Sequence, residues 1–159
     1  MGWFKKKPSW EEQYAKNIYD GFVASGGPGD ITALKLRIPT VLHHAYQNKI
    51  VLQRELISFA ALASVANPES GLAPVMWAYG DLLVHKAAER GLHMNKDQLA
   101  NAAFDDVEAM MTDPFKSAQR WLSEFRDDPN DNYMVAIFAD HCTRPFHAYK
   151  GGIEKTRPR

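Results

Sequence analysis

Apolar residues recur every three or four positions between Thr40 and Ala66, and this period constrains the fold more than any other feature of the sequence. Such a repeat is typical of an α-helix that buries one face. Its second half, LISFAALASVA, is apolar nearly all round, as expected of a helix surrounded by other helices. We therefore predict a central helix over residues 40–66, against which the rest of the chain packs.

Capping motifs mark where other helices begin. Ser9 and Glu12 form an S-x-x-E capping box before the first helix, which we predict to end near Ala24. Asn95 and Gln98 mark another helix start of the same kind. Amphipathic periods follow both motifs, so the sequence predicts helices on either side of the central one.

Two segments follow the helical pattern less clearly. Residues 31–38 alternate apolar and charged side chains, a period that suits a strand or a short helix. An isolated strand would have no pairing partner elsewhere in the sequence, so we predict a helix there. The last helix is predicted over residues 133–142, ending before Pro145, because proline interrupts helical hydrogen bonding.

Together these segments predict an all-α fold: a single compact domain of six to seven helices in orthogonal or bundle-like packing around the helix at 40–66. We expect residues 9–149 to form this domain. Residues 1–8 are expected to be a flexible tail rich in basic and aromatic residues, and 150–159 a flexible basic tail. No apolar run reaches the about 20 residues of a transmembrane helix, so we predict no membrane span.

Charge is balanced in total but uneven along the chain. Nineteen acidic residues match nineteen basic ones, which disfavours nucleic acid as a partner. The segment 97–140 holds ten acidic residues against Lys116, Arg120 and Arg126. An acidic surface of this kind favours a basic protein partner or head-to-tail self-association.

The stretch FADHCTRPFH, residues 138–147, contains the single cysteine of the chain, Cys142. Asp140, His141 and Cys142 are consecutive, so on a helix they point about 100° apart and do not converge on one atom. Structural zinc sites use spaced pairs of ligands instead. We expect Cys142 to lie in the core. A single cysteine excludes an intrachain disulfide and fits a reducing compartment, which predicts a cytoplasmic location.

Imidazole and carboxylate groups offer an alternative metal site. Asp81, His85 and Glu89 are spaced by four and share one face of a helix. Histidine and aspartate ligands from several helices would suit a divalent metal, in a metal-binding helical protein or a metal-dependent hydrolase. The candidate ligands are His43, His44, Asp81, His85 and His141.

The sequence contains no phosphate-binding glycine loop, no nucleophile elbow and no H-E-x-x-H motif. We therefore predict a non-catalytic protein without a cofactor that works by binding a protein partner or a second copy of itself, as a homodimer. The chain has more aromatic residues than its apolar helix faces account for. Tryptophan and tyrosine are favoured at interfaces. The interface candidates are Trp3, Phe4, Trp77, Trp121 and Tyr149. For Trp77 and Trp121, a position in the core is the alternative.

Overall fold

The structure, a computed structural model, describes residues 6–24, 43–124 and 128–156, except for the side chains of 43–50, 141 and 142. Every regular element within these ranges is a helix, which confirms the all-α prediction for this part of the chain. The helices are α1 (Trp10–Ala24), α2 (His43–Val65), α3 (Ala73–Glu89), α4 (Lys96–Thr112), α5 (Pro114–Glu124) and α6 (Asn132–Lys155). The predicted helix at 31–38 lies outside the described residues.

Both predicted capping boxes are present. The Glu12 N–H donates to Ser9 Oγ at 3.2 Å, and the Ser9 N–H donates to Glu12 Oε2 at 2.7 Å. The same reciprocal bonds join Asn95 and Gln98, at 2.9 and 3.0 Å. Each box satisfies two backbone donors that the first turn of a helix leaves unpaired, which is why α1 and α4 begin where the sequence predicts.

Helix α2 is the central helix, as predicted, and packs against α3, α4 and α6. Its residues Ile57, Phe59 and Leu62 are almost completely buried. They form the main core together with Tyr79 of α3 and Leu99 of α4. None of the helices within the described ranges is long and apolar enough to cross a membrane.

Helices α5 and α6 enclose a second, smaller core. The rings of Trp121 and Phe138 lie 6.1 Å apart between their centroids. Both side chains are almost fully buried. The cluster consists of Ala118, Trp121, Leu122, Met134, Val135, Phe138 and Ala139. It anchors the first half of α6, the part of that helix that the sequence predicts.

Helix α6 is longer than predicted. Pro145 lies inside it, and the helix continues to Lys155. Proline removes one helical hydrogen bond, but Ile153 is buried and Phe146 packs against the main core. Burying such side chains contributes about 1.5–3 kcal/mol each, enough to offset the lost bond. The predicted helix end before Pro145 is therefore wrong, and residues 150–155 are helical where a flexible tail was expected.

A buried carboxylate connects α1, α2 and α3. The Glu55 side chain on α2 has no exposed surface. Arg90, which follows α3, donates from Nη1 to Oε1 at 2.9 Å and from Nη2 to Oε2. The Tyr19 hydroxyl on α1 donates to Oε1 over 3.4 Å. Burial, followed by the charge on Glu55, raises the pKa of Tyr19, so the phenol stays protonated and can donate.

Replacing Glu55 with alanine is expected to lower the free energy of unfolding by about 3 kcal/mol, because Arg90 then remains a largely buried charge without its partner. Urea denaturation followed by circular dichroism measures this. The double variant Glu55→Leu/Arg90→Met removes both charges and is expected to lie closer to the wild type. A single variant as stable as the wild type would contradict the structural role of the pair.

Candidate binding cleft between helices α1 and α6

A cleft of about 510 Å3 lies between α1 and α6. At one end the Tyr14 hydroxyl donates to the Thr156 carbonyl oxygen at 2.5 Å. At the other end the rings of Phe22 and Tyr149 meet edge to face, 5.2 Å apart between centroids. The two helices therefore run antiparallel along the cleft. From Tyr14 to Phe22 the helix makes about two turns, which gives a cleft about 12 Å long.

The lining of the cleft is mainly apolar. Ile18 of α1 and Ile153 of α6 belong to it, together with Ser58 of α2. Small-molecule sites in proteins are commonly apolar clefts of about 300–1,000 Å3 with a few polar groups. This cleft has both the volume and the lining of such a site.

Each wall of the cleft contains one glycine. Gly21 of α1 and Gly152 of α6 both line it. A Cβ atom added at either position would meet no other atom within 4 Å. Glycine inside a helix costs about 0.5–1 kcal/mol relative to alanine. The chain thus keeps two destabilising residues at positions where larger side chains would enter the cleft.

The Ser58 hydroxyl donates one hydrogen bond and accepts one within the protein. Its Oγ donates to the Glu55 carbonyl oxygen at 2.8 Å and lies 2.7 Å from the Tyr79 hydroxyl oxygen. Since Ser58 has a single proton, Tyr79 must donate to Ser58. Burial raises the pKa of Tyr79, which keeps that phenol protonated. A serine nucleophile requires a base within hydrogen-bond distance, and no histidine is among the described residues that line the cleft.

An arginine lies beside the Phe22 end of the cleft. Arg54 is half-buried and lies one turn before Ser58, on the same side of α2. Its Cζ is 5.0 Å from the centroid of the Phe22 ring. Its Nη2 is 3.5 Å from the Tyr149 hydroxyl oxygen, a long contact. The guanidinium group therefore touches the two aromatic residues that close this end of the cleft.

A second groove, of about 610 Å3, lies between α4 and α5. It is larger than the cleft but is lined by charged side chains of both signs, including Asp105, Glu108, Asp113, Lys116 and Arg120. Exposed charges of opposite sign largely neutralise each other and stay hydrated, so they contribute little binding free energy. The apolar cleft is the better candidate site.

The structure does not bring the predicted interface aromatics together. Trp3 and Phe4 lie outside the described residues. Trp121 is 5% exposed and fills the α5–α6 core, the alternative that the sequence allows for it. Trp77 is 45% exposed on α3. Tyr149 lines the α1–α6 cleft and is the one predicted interface residue that belongs to the candidate site.

The described members of the predicted metal site have other partners. Asp81 Oδ1 lies 3.0 Å from Lys96 Nζ, and His85 Nε2 lies 3.3 Å from Glu89 Oε1. The side chains of His43, His44 and His141 are outside the described part. Among the side chains that are described, no three histidine, cysteine, aspartate or glutamate groups are placed to hold a metal ion. The metal site therefore stays a prediction that the described side chains do not support.

The cleft itself was not predicted from the sequence. Tyr14, Ile18 and Phe22 form a recognisable helical stripe, but the opposite wall follows Pro145, where the sequence predicts a helix end. The signal that was available is the spacing of Phe146 and Ile153, two turns apart, which continues the helical period past the proline.

The chain matches no protein-family model, and no curated protein or solved structure shows significant similarity to it.

Replacing Gly152 with alanine is expected to raise the free energy of unfolding by about 0.5–1 kcal/mol, because the added methyl group enters open space and alanine favours the helix. Gly80 is the matched control, since a Cβ there would lie 3.3 Å from Phe59 Cε2. The Gly80→Ala substitution is expected to raise the free energy of unfolding less than Gly152→Ala does, or to lower it. Urea denaturation compares the two, and a destabilised Gly152→Ala variant would show that this wall is packed rather than open.

Proposed function

We propose that this chain is a non-catalytic binding protein and that the α1–α6 cleft binds a small apolar molecule. The observation that supports this most directly is the cleft volume of about 510 Å3. Sites for small molecules in proteins have volumes in this range. A ring system or an alkyl chain about as long as the 12 Å cleft would fit this space.

The side chains around the cleft favour binding over catalysis. The lining among the described residues contains no histidine, cysteine, aspartate, glutamate or lysine, the groups that usually transfer protons or attack substrates. The Ser58 hydroxyl is occupied by the Glu55 carbonyl and the Tyr79 phenol. A bound molecule would therefore meet apolar walls and hydrogen-bonded polar groups without a reactive partner.

The cleft is held open before any ligand arrives. Helix α1 is fixed near its start by the Tyr14–Thr156 hydrogen bond and further along by the bond from Tyr19 to the buried Glu55. A site whose walls are already in place loses less conformational entropy when a ligand binds. This rigidity supports binding of a small molecule with useful affinity.

We also propose that a protein partner binds the outer face of α4. Phe104 and Met111, two turns apart, are 50% and 38% exposed. Exposed Asp97, Asp105 and Glu108 surround them. A basic amphipathic segment of a partner protein would complement both the apolar and the acidic side chains. A second copy of the chain would place like charges opposite each other across a two-fold axis.

A shallow groove supports this second proposal. It has a volume of about 260 Å3, lies over α2, and has Phe104 on one side and Phe146 on the other. Glu108 also lines it.

We propose that the protein acts in the cytoplasm, because its single cysteine fits a reducing compartment.

The cleft is tested with N-phenylnaphthylamine, an uncharged fluorophore that emits strongly in apolar surroundings. The wild type is expected to bind one molecule. The Gly21→Leu/Gly152→Leu variant is expected to lose about tenfold or more in affinity, equivalent to about 1.4 kcal/mol, because two leucines fill the space. Fluorescence titration measures both.

Gly151→Leu is the control for this experiment. Gly151 is also a helical glycine with open space around its Cβ position, but it does not line the cleft. Its variant is expected to bind the fluorophore as the wild type does. A wild type that does not bind the fluorophore, or equal affinities in all three proteins, would contradict the proposed site.

The α4 surface is tested with a synthetic amphipathic peptide of leucine and lysine, labelled for fluorescence anisotropy. Phe104→Ser is expected to weaken binding by about 1–2 kcal/mol, the cost of removing a central apolar contact, and added salt should weaken it further. Phe115→Ser, which removes a ring of similar exposure from α5, is the control. A concentration-dependent dimer in sedimentation, lost in Phe104→Ser, would instead assign this face to self-association.

A further inference from the structure

The two ends of the α1–α6 cleft differ in what they require from a ligand. At the Tyr14 end most polar groups have partners within the protein: the Tyr14 hydroxyl donates to the Thr156 carbonyl oxygen, and Thr156 Oγ1 donates to the Gly152 carbonyl oxygen at 3.1 Å. Asn17 Oδ1 accepts from Gln13 Nε2 at 3.1 Å. No charged side chain lines this end among the residues that the structure describes. This end suits the apolar part of a bound molecule.

Arg54 does not line the cleft itself but contacts Phe22 and Tyr149 at its end, and it has no acidic partner among the described residues. Of the four arginines with described side chains, Arg90, Arg120 and Arg144 each have a carboxylate within 4 Å. Arg54 has none among the described residues, although it is half-buried. The groups that it contacts there are neutral and aromatic, the Phe22 ring and the Tyr149 hydroxyl.

The surroundings of Arg54 suit an anion. A planar guanidinium offers two parallel N–H groups that match the two oxygens of a carboxylate. Contact with an aromatic ring and partial burial remove water from the guanidinium, which strengthens its interaction with a bound anion. The Tyr149 oxygen is the acceptor in its contact with Arg54, so its own proton remains available to the same anion.

We infer that the cleft binds an amphiphilic carboxylate, with the apolar chain between Ile18 and Ile153 and the carboxylate at Arg54 and Tyr149. This inference rests on the proposed function of the cleft and names the class of its ligand. Arg54 is the one cation that the described residues show in contact with both Phe22 and Tyr149, and one positive charge favours a group with one negative charge over a phosphate monoester with two. The ligand class is therefore a carboxylic acid with a chain or ring system about two helical turns long.

The test measures displacement of N-phenylnaphthylamine from the full chain at neutral pH. The competitors are decanoate, decanol and decylamine, which share the chain and differ in the head group. Decanoate is expected to compete about tenfold better than decanol, and decylamine worse than both. In Arg54→Met the decanoate affinity is expected to fall about ten- to a hundredfold, the range of a hydrogen-bonded charge, while decanol and the fluorophore bind as before.

Arg144→Met is the matched control, because it removes the same charge from an exposed ion pair with Asp140 on α6. It is expected to leave the decanoate affinity unchanged. Arg54→Lys, which keeps the charge but not the planar donor pair, is the second variant and is expected to lose severalfold in decanoate affinity. Fluorophore binding in each variant shows that the cleft has formed.

The outcomes separate the two proposals. An Arg54→Met variant that binds the fluorophore and still prefers decanoate overturns the carboxylate assignment and leaves the apolar cleft standing. A wild type that does not distinguish decanoate from decanol overturns the carboxylate assignment in the same way. A wild type that binds neither the fluorophore nor any competitor removes the proposed function and the carboxylate assignment together.

Discussion

The buried carboxylate of Glu55 is the interaction on which the arrangement of α1, α2 and α3 depends. A buried charge is strongly destabilising unless its hydrogen bonds are made. Arg90 and Tyr19 both donate to Glu55 Oε1, and they can do so only when α1 and α3 hold their observed positions. The network therefore specifies one packing among several that the apolar residues alone would tolerate, and it places the α1 wall of the cleft.

The second wall depends on a competition within α6. Pro145 weakens the helix locally, whereas Ile153 and Phe146 bury apolar surface only if the helix continues. Packing prevails, and the continued helix brings Tyr149 and Gly152 opposite α1. The cleft is thus a product of tertiary structure: its walls are far apart in the sequence, and neither helix forms a cleft without the other.

The sequence predicted the parts of the fold that local chemistry decides. Helical periods and capping boxes located α1, α2 and α4, because the residues that determine a helix start are adjacent to it. The prediction was wrong where contacts with residues distant in the sequence determine the end of a helix, as in α6 at Pro145. Helical periodicity also does not show which apolar side chains are covered by the rest of the protein. Trp10 and Phe115 belong to apolar stripes, yet they are 52% and 58% exposed. For the same reason, the sequence could not show that Arg54 lies beside an apolar cleft.

The hydrogen bond between Tyr14 and Thr156 joins positions 142 residues apart. During synthesis, α1 emerges long before α6, so its cleft-facing side has no partner until nearly all of the described chain has been made. Closing so long a loop is slow in folding terms. Any molecule that binds between these helices recognises only the completed fold, and its concentration would directly raise the stability of that fold.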